Sequence, residues 1–267
     1  QKQSSIIYSS PTMSTWRELK NNPRLKELYE KRTEIIRLIR AFFWSEGFME
    51  TDTPIAVVLP GQEPELSPVP VTLHDEKGAP RKFYLQTSPE FAMKKLLAAG
   101  FGKIFQICKC FRDYESFGGL HNPEFTMIEW YRTNATYQDI MNDTEQLFKY
   151  VGGELGVRTV TWNSHCVDIM APWDRKTMKQ VWQEYVGVNL DEYLEAPAMR
   201  ALARSRGYEV RDDEPYEDVF YKIFLNDIEQ KLGSEWPVFV YEYPAIMTSL
   251  SRICAHDARY AERFELY

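Results

Sequence analysis

The sequence predicts an α+β fold, on three observations. Residues 23–46 repeat their apolar side chains at helical spacing; two strand pairs, 69–73 with 83–87 and 104–112 with 124–132, come later; and residues 160–235 return to mostly helical patterning. The chain has 267 residues, 44% hydrophobic and 14% aromatic, enough for one large domain or two small ones around a real core and too aromatic for a disordered tail. With 32 basic against 39 acidic residues the net charge is −7, which argues against a protein that coats nucleic acid and leaves room for a local basic patch. No run approaches the ~20 apolar residues of a membrane-spanning helix, and no signal peptide opens the chain. The cysteines Cys108, Cys110, Cys166 and Cys254 fit neither a disulfide framework nor a zinc-ligand spacing, so no metal is assigned, and a reduced, cytoplasmic setting without membrane contact is expected.

Each element follows from local chemistry. Residues 1–16 are unpatterned and read as a flexible tail. Asn22 is a good N-cap and Pro23 suits a first helical turn; Leu25, Leu28, Ile35, Ile39 and Phe42 keep helical spacing, and Gly47 supplies the stop. The basic residues on the other faces, among them Arg24, Lys31, Arg37 and Arg40, read as a solvated surface. Residues 48–54 are a short extended stretch limited by Pro54, and the proline-rich stretch 59–70 is a loop. Asp75-Glu76-Lys77-Gly78 turns the first strand pair. Ser88-Pro89-Glu90 opens a helix, with Ser88 as N-cap, that closes at Gly100. Thr136–Val151 is amphipathic, and 238–241 is a strand candidate. The acidic cluster Glu209, Asp212, Asp213, Glu214, Glu217 and Asp218 reads as solvated surface. His74, His165 and His256 stand apart, without paired ligands.

The chemistry concentrates on the second strand pair. Its connection, 113–123, is long for a hairpin, and long loops between well-patterned strands carry function. Strand alternation places Phe125, Met127, Glu129 and Tyr131 on one face, and Gln106, Cys108, Cys110 and Arg112 on one face of the partner. A carboxylate between aromatics on a sheet face needs a cation or hydrogen bonds to stay ionised, so this face reads as the wall of a pocket for a cationic group. At the loop entrance Arg112 can grip a phosphate or carboxylate with two prongs. With His121 and Phe125 it makes a nucleotide grip: arginine on the α-phosphate, histidine on the outer phosphates, phenylalanine against adenine.

The stretch from Phe111-Arg112-Asp113 through His121-Asn122-Pro123-Glu124-Phe125-Thr126-Met127-Ile128-Glu129-Trp130-Tyr131 resembles motif 2 of class II aminoacyl-tRNA synthetases, in the lysine, aspartate and asparagine subclass, with a lysyl-like signature. Thr87-Ser88-Pro89-Glu90 with Met93-Lys94-Lys95-Leu96-Leu97 resembles the family's amino-acid-binding segment. Gly47-Phe48 to Thr53-Pro54 resembles motif 1, which implies a homodimer through residues 47–54. Because little chain precedes the first helix, the resemblance favours the free-standing lysyl paralogues that modify elongation factor P over a full lysyl-tRNA synthetase with its anticodon-binding domain. It implies a mainly antiparallel sheet flanked by helices, a catalytic domain over 17–267 and a helical insertion at about 155–235.

The implied activity is ATP-dependent activation of lysine or β-lysine as an adenylate, followed by transfer to a lysine of elongation factor P. Alternatives are a lysyl-tRNA synthetase fragment charging tRNA and a non-catalytic, dimeric nucleotide-binding paralogue. Carried over residue by residue, Ser88, Pro89 and Glu90 hold the substrate's amino groups, and Glu129 and Tyr131 receive its cationic end. Arg112 binds the α-phosphate and carboxylate, Glu115 or Asp113 the adenine-side polar contacts, His121 and Asn122 the phosphates or ribose, and Phe125 stacks on adenine. Mg2+ would share with Arg112 the charge that develops as the carboxylate attacks. Tyr114 stands where the family carries glutamate, and no Gly-x-Gly-x-Asp-Arg-like stretch of motif 3 occurs. The chain is therefore expected to be an excerpt of a longer frame, impaired as a catalyst on its own. The plainer reading of Glu90 is a first-turn carboxylate facing the helix dipole.

Overall fold

The computed structural model describes residues 15–61, 63, 65–115, 121–162, 165–248 and 250–267, and the chain divides into two units, Gln1–Asn134 and Ala135–Tyr267. Of the tail expected over 1–16, residues 1–14 lie outside that set, and helix α1 (Thr15–Asn21) already begins at Thr15.

In the first unit, Asn22 caps α2 (Pro23–Ser45), its side chain accepting from the Leu25 amide, and Gly47 leaves the helix at φ +77°, a conformation open to glycine at little cost. The basic face is solvated as expected, with Arg24 and Lys31 on Glu27 and Arg37 on Glu34. Two short strands follow, β1 (Met49–Glu50) and β2 (Ala56–Val57), then β3 (Pro70–His74) and β4 (Pro80–Leu85), helix α3 (Glu90–Ala98), and the long strands β5 (Lys103–Phe111) and β6 (Glu124–Arg132). One sheet runs β1-β5-β6, with β1 parallel to β5 and β5 antiparallel to β6; the other runs β2-β4-β3 and is antiparallel throughout. The Phe111 amide donates to Gln86 O and the Gln86 side-chain amide to Lys109 O, both at 2.9 Å, tying the segment after β4 to the long hairpin. Behind the hairpin lies an aromatic core: Phe43 stacks on Phe105, meets Phe42 and Phe48 edge-on and touches Trp130.

In the second unit, Thr136 and Asp139 form a capping box at the start of α4 (Tyr137–Glu154). The hairpin β7 (Thr159–Trp162) and β8 (His165–Asp168) leads to β9 (Asp174–Thr177), then α5 (Met178–Tyr185), α6 (Ala196–Ser205) and α7 (Tyr216–Ile223), which runs into a π-turn over Phe224–Ile228. Strands β10 (Val238–Pro244) and β11 (Tyr260–Leu266) complete a sheet ordered β11-β10-β9, antiparallel on one side of β10 and parallel on the other. The three later helices bury Trp182, Leu190, Met199, Val219, Phe220 and Phe224 against Val240 and Tyr243.

Beside its helices, the segment 155–235 carries three short strands, at 159–162, 165–168 and 174–177. Two expectations need correction here. Glu214 is not solvated but buried, bonded by the Arg211 amide and paired with Lys222 at 2.5 Å, which together hold its carboxyl below the usual range. Ser88 is not the N-cap of α3, which begins one residue later with Pro89 at the cap, for a reason that belongs to the site.

Candidate active site

The hairpin sorts its side chains by pleat. On one face of β6, Trp130 enters the Phe43 core and Thr126 accepts from Arg32 of α2. On the other face stand Phe125, Met127, Glu129 and Tyr131, opposite a β5 face on which the Cys108 and Cys110 sulfurs lie 3.8 Å apart and Cys110 reaches Met127 at 3.9 Å. Gln106 is buried in the floor, bonded to the hydroxyls of Thr51 and Thr53.

At one end of that face Glu129 is held by two hydroxyls. Ser88 donates to Oε2 at 2.7 Å and Tyr131 donates to Oε1. The Ser88 oxygen in turn accepts from the Glu90 amide at 3.0 Å, so the serine, one position before the cap, ties the first amide of α3 to the sheet. Burial raises the Glu129 carboxyl above its usual range, the nearby charge of Glu90 adds to the shift, and the two hydroxyl donors together with Lys94 oppose it. Burial and the Glu129 charge push the Tyr131 phenol upward as well, so it stays a donor. Glu90, one turn from Lys94, is ion-paired with that lysine. The arrangement is a fixed, half-buried carboxylate whose field is incompletely neutralised, which is what a site for an ammonium group requires.

Beyond the other end of β5, the Arg112 amide bonds Pro123 O at 2.9 Å and its guanidinium lies 5.1 Å from the Phe125 ring centre. Among the described residues its Nε is buried with no hydrogen-bond partner, an N–H open to a ligand acceptor. Asp113 is fixed by its amide on Ser67 O at 2.7 Å, and Tyr114 takes a left-handed φ of +60° and projects into solvent. Glu115 and His121 approach one another at 3.6 Å, and Asn122 is exposed. Residues 116–120 of this connection lie outside the described set. The structure thus brings Ser88, Glu90, Glu129 and Tyr131 together at one end, Arg112 and Phe125 at the other, and Glu115 with His121 at the loop. Pro89 is buried at the head of α3.

Sequence reasoning missed three side chains in this unit. Among the described residues Gln86 Oε1, Thr87 Oγ1 and Glu63 Oε2 are buried without hydrogen-bond partners, and a Cβ on Gly61 would meet the last two at 2.5 and 2.4 Å. Gly61 makes room for both; only the Thr87-Ser88 dipeptide hinted at them. Sequence reasoning also left His256 isolated. The structure brings it to Glu242 and Cys254 in the second unit, with ligand atoms of all three within 4.8 Å of one another.

A family model described as tRNA synthetases class II (D, K and N) matches residues 12–267. The chain belongs to that family. Among curated members, it is 36% identical over 252 residues to the elongation factor P–(R)-beta-lysine ligase of Pseudoalteromonas translucida, covering 89% of this chain and 69% of that protein. The corresponding ligase of Actinobacillus succinogenes is 36% identical over 241 residues, 88% of this chain and 68% of that one. The lysine–tRNA ligase of Pelotomaculum thermopropionicum is 34% identical over 249 residues, 92% of this chain and 48% of that protein. The chain thus spans about half the length of the tRNA ligase it matches. For a class II synthetase the α+β fold with mostly antiparallel sheets is as expected. Among the described residues no helix is long and apolar enough to cross a membrane.

The buried, unpartnered Arg112 Nε beside an aromatic face fits a nucleotide phosphate. Mg2+ keeps several waters and is held by one or two carboxylates together with the nucleotide's own phosphates rather than by an all-protein cage.

Proposed function

We propose that this chain activates lysine or β-lysine with ATP and passes the acyl group to a lysine of elongation factor P. The observation that carries this reading is the Glu129 carboxylate, clamped by Ser88 and Tyr131, on the same sheet face as Phe125 and the Arg112 grip. Glu129 lies four strand positions from Phe125, about 13 Å, a span that an extended lysine joined to an adenylate fills. The ammonium sits on Glu129, with Ser88, Pro89 and Glu90 shaping the amino-group end and Tyr131 closing it. Arg112 places two N–H groups on the α-phosphate and the carboxylate, drawing them into line. Phe125 takes the adenine on the face away from the guanidinium; Asp113 or Glu115 meets its polar edge, and His121 and Asn122 meet the phosphates or ribose.

A carboxylate oxygen then bonds to the α-phosphorus as the bond to pyrophosphate breaks, and Arg112 neutralises charge that grows on the phosphoryl oxygens. No side chain is needed as nucleophile. The acceptor amine attacks the acyl carbon, AMP leaves, and one proton is released. The same reading takes residues 17–267 as the catalytic domain, with 155–235 inserted in it and 47–54 as the pairing surface of a homodimer. Similarity to a lysine–tRNA ligase makes tRNA the alternative acceptor.

The test is calorimetry of a non-hydrolysable lysyl-adenylate analogue on the folded chain, followed by transfer of labelled lysine or β-lysine to elongation factor P or tRNA. Binding lost in Glu129→Gln and Arg112→Ala, and absent for an aspartyl analogue, supports the reading. Equal binding of both analogues, or none by the folded chain, overturns it. Transfer to tRNA alone replaces the protein acceptor.

A further inference from the structure

We infer that Glu242, Cys254 and His256 form a binding site for a thiophilic divalent cation, Zn2+ by its ligand chemistry, that clamps the β10–β11 connection to β10.

The second unit assembles these side chains deliberately. Strand β10 carries a register shift between Tyr241 and Tyr243, and Glu242, at the bulge, adopts φ +60°, costly for a residue that is not glycine. The bulge turns its carboxylate toward the returning connection. That connection is pinned by the Cys254 amide on Tyr260 O at 2.9 Å, and by the Glu262 amide on Arg252 O at 2.7 Å, which carries Cys254 and His256 back to the bulge. Cys254 is buried, 2% exposed, while the His256 ring is on the surface, open to an entering ion.

The distances suit a small tetrahedral ion. Zinc bonds of about 2.1 Å to nitrogen and oxygen place neighbouring ligand atoms roughly 3.4 Å apart. His256 Nε2 and Glu242 Oε1 stand 3.4 Å apart, and a sulfur, nitrogen and oxygen atom of the three residues all lie within 4.8 Å. The carboxylate is already oriented: the Tyr137 hydroxyl donates to Glu242 Oε1 at 2.9 Å, the kind of outer contact that fixes a metal ligand.

Charge argues the same way. The Glu242 side chain is only 14% exposed, and among the described residues its ion-pair partner is His256. The arginines nearby are engaged elsewhere, Arg252 on Glu262 and Arg259 on Asp257 and Asp191. A thiol, an imidazole and a carboxylate converging at a half-buried point, with no fixed cation among them, match the mixed N/S/O sets that hold zinc and leave a fourth position open.

The experiment is titration of the reduced, metal-free full chain with Co2+, followed by absorption, and then displacement by Zn2+. A thiolate-to-cobalt charge-transfer band saturating at one ion per chain, reversed by Zn2+, is expected, together with a rise in unfolding temperature on adding Zn2+. Cys254→Ser removes the band. His256→Ala, at an exposed ring, keeps the fold and removes the thermal shift. Tyr137→Phe weakens binding about ten-fold. The proposal is overturned if the folded chain gives no band, or if the band survives in Cys254→Ser and so belongs to Cys108, Cys110 or Cys166. It is equally overturned if His256→Ala retains the full Zn2+ shift.

Discussion

Ser88 donates its hydroxyl proton to Glu129 Oε2 at 2.7 Å while accepting the Glu90 amide at 3.0 Å, joining the head of α3 to the middle of β6. One oxygen therefore fixes both the helix start and the carboxylate proposed to receive the substrate. A serine positioned only as a helix cap would leave Glu129 with a single donor, Tyr131, and freedom to rotate.

Ser88→Ala tests that link. The variant should fold, since α3 keeps its other contacts, and should lose affinity for the lysyl-adenylate analogue about ten-fold. That corresponds to one hydrogen bond to a charged group, about 1.5 kcal/mol. Calorimetry on wild type and variant reads it, and an unchanged affinity would show that Ser88 serves the helix alone.

Glu129 itself makes a prediction about pH. Its carboxyl is raised above the ordinary value of 4.5, mainly by burial, so the folded chain binds the proton more tightly than the unfolded one. Stability drawn from the neutral acid is complete below the ordinary value and is lost as pH rises through the folded value. Without ligand, Glu129→Gln should therefore unfold at a higher temperature than wild type at pH 7, and the gap should close as pH falls toward 4. The same variant should lose the stabilisation that the analogue gives wild type. A gap that widens in acid would contradict the burial argument.

Much of this site is legible in sequence because strand alternation is local. Phe125, Met127, Glu129 and Tyr131 occur at every second position, and their common face follows from the pleat alone. What stayed hidden depends on partners distant in the chain. Asp174-Arg175-Lys176-Thr177 has no alternation and becomes a strand because β10 pairs with it in parallel. Glu214 reads as one acid among several until Lys222 and the Arg211 amide enclose it. Cys254 and His256 meet Glu242 only through a bulge and a returning loop that no short window of sequence contains.

Arg112 and Phe125 predict a separation of charge from stacking. Arg112→Lys keeps the charge but not the fork or the lie over the ring, and an ammonium is no substitute for planar two-pronged binding. Lysine-dependent ATP–pyrophosphate exchange, in a form of the protein that shows it, should fall by roughly a hundred-fold or more, with the KM for both ATP and lysine raised. Phe125→Leu should raise the ATP KM and spare the lysine KM. If Arg112→Lys retained full exchange, the guanidinium geometry would not be part of the nucleotide grip.

The neighbouring glycines of α4 separate packing from helix propensity. A Cβ at Gly152 would meet Ile169 Cδ1 at 2.8 Å and Val157 O at 2.9 Å, and that second atom is backbone, held in place by the Val157 amide on Gly152 O. At Gly153 a Cβ meets nothing within 4 Å. Gly152→Ala should therefore destabilise the chain by about 1–3 kcal/mol through overpacking. Gly153→Ala should stabilise it by about 0.5–1 kcal/mol by removing the entropy that glycine loses in a helix. Urea unfolding followed by circular dichroism compares the two directly. Opposite signs one residue apart exclude a general effect of helix propensity; equal signs would mean that the turn after α4 yields freely and Gly152 is not a packing requirement.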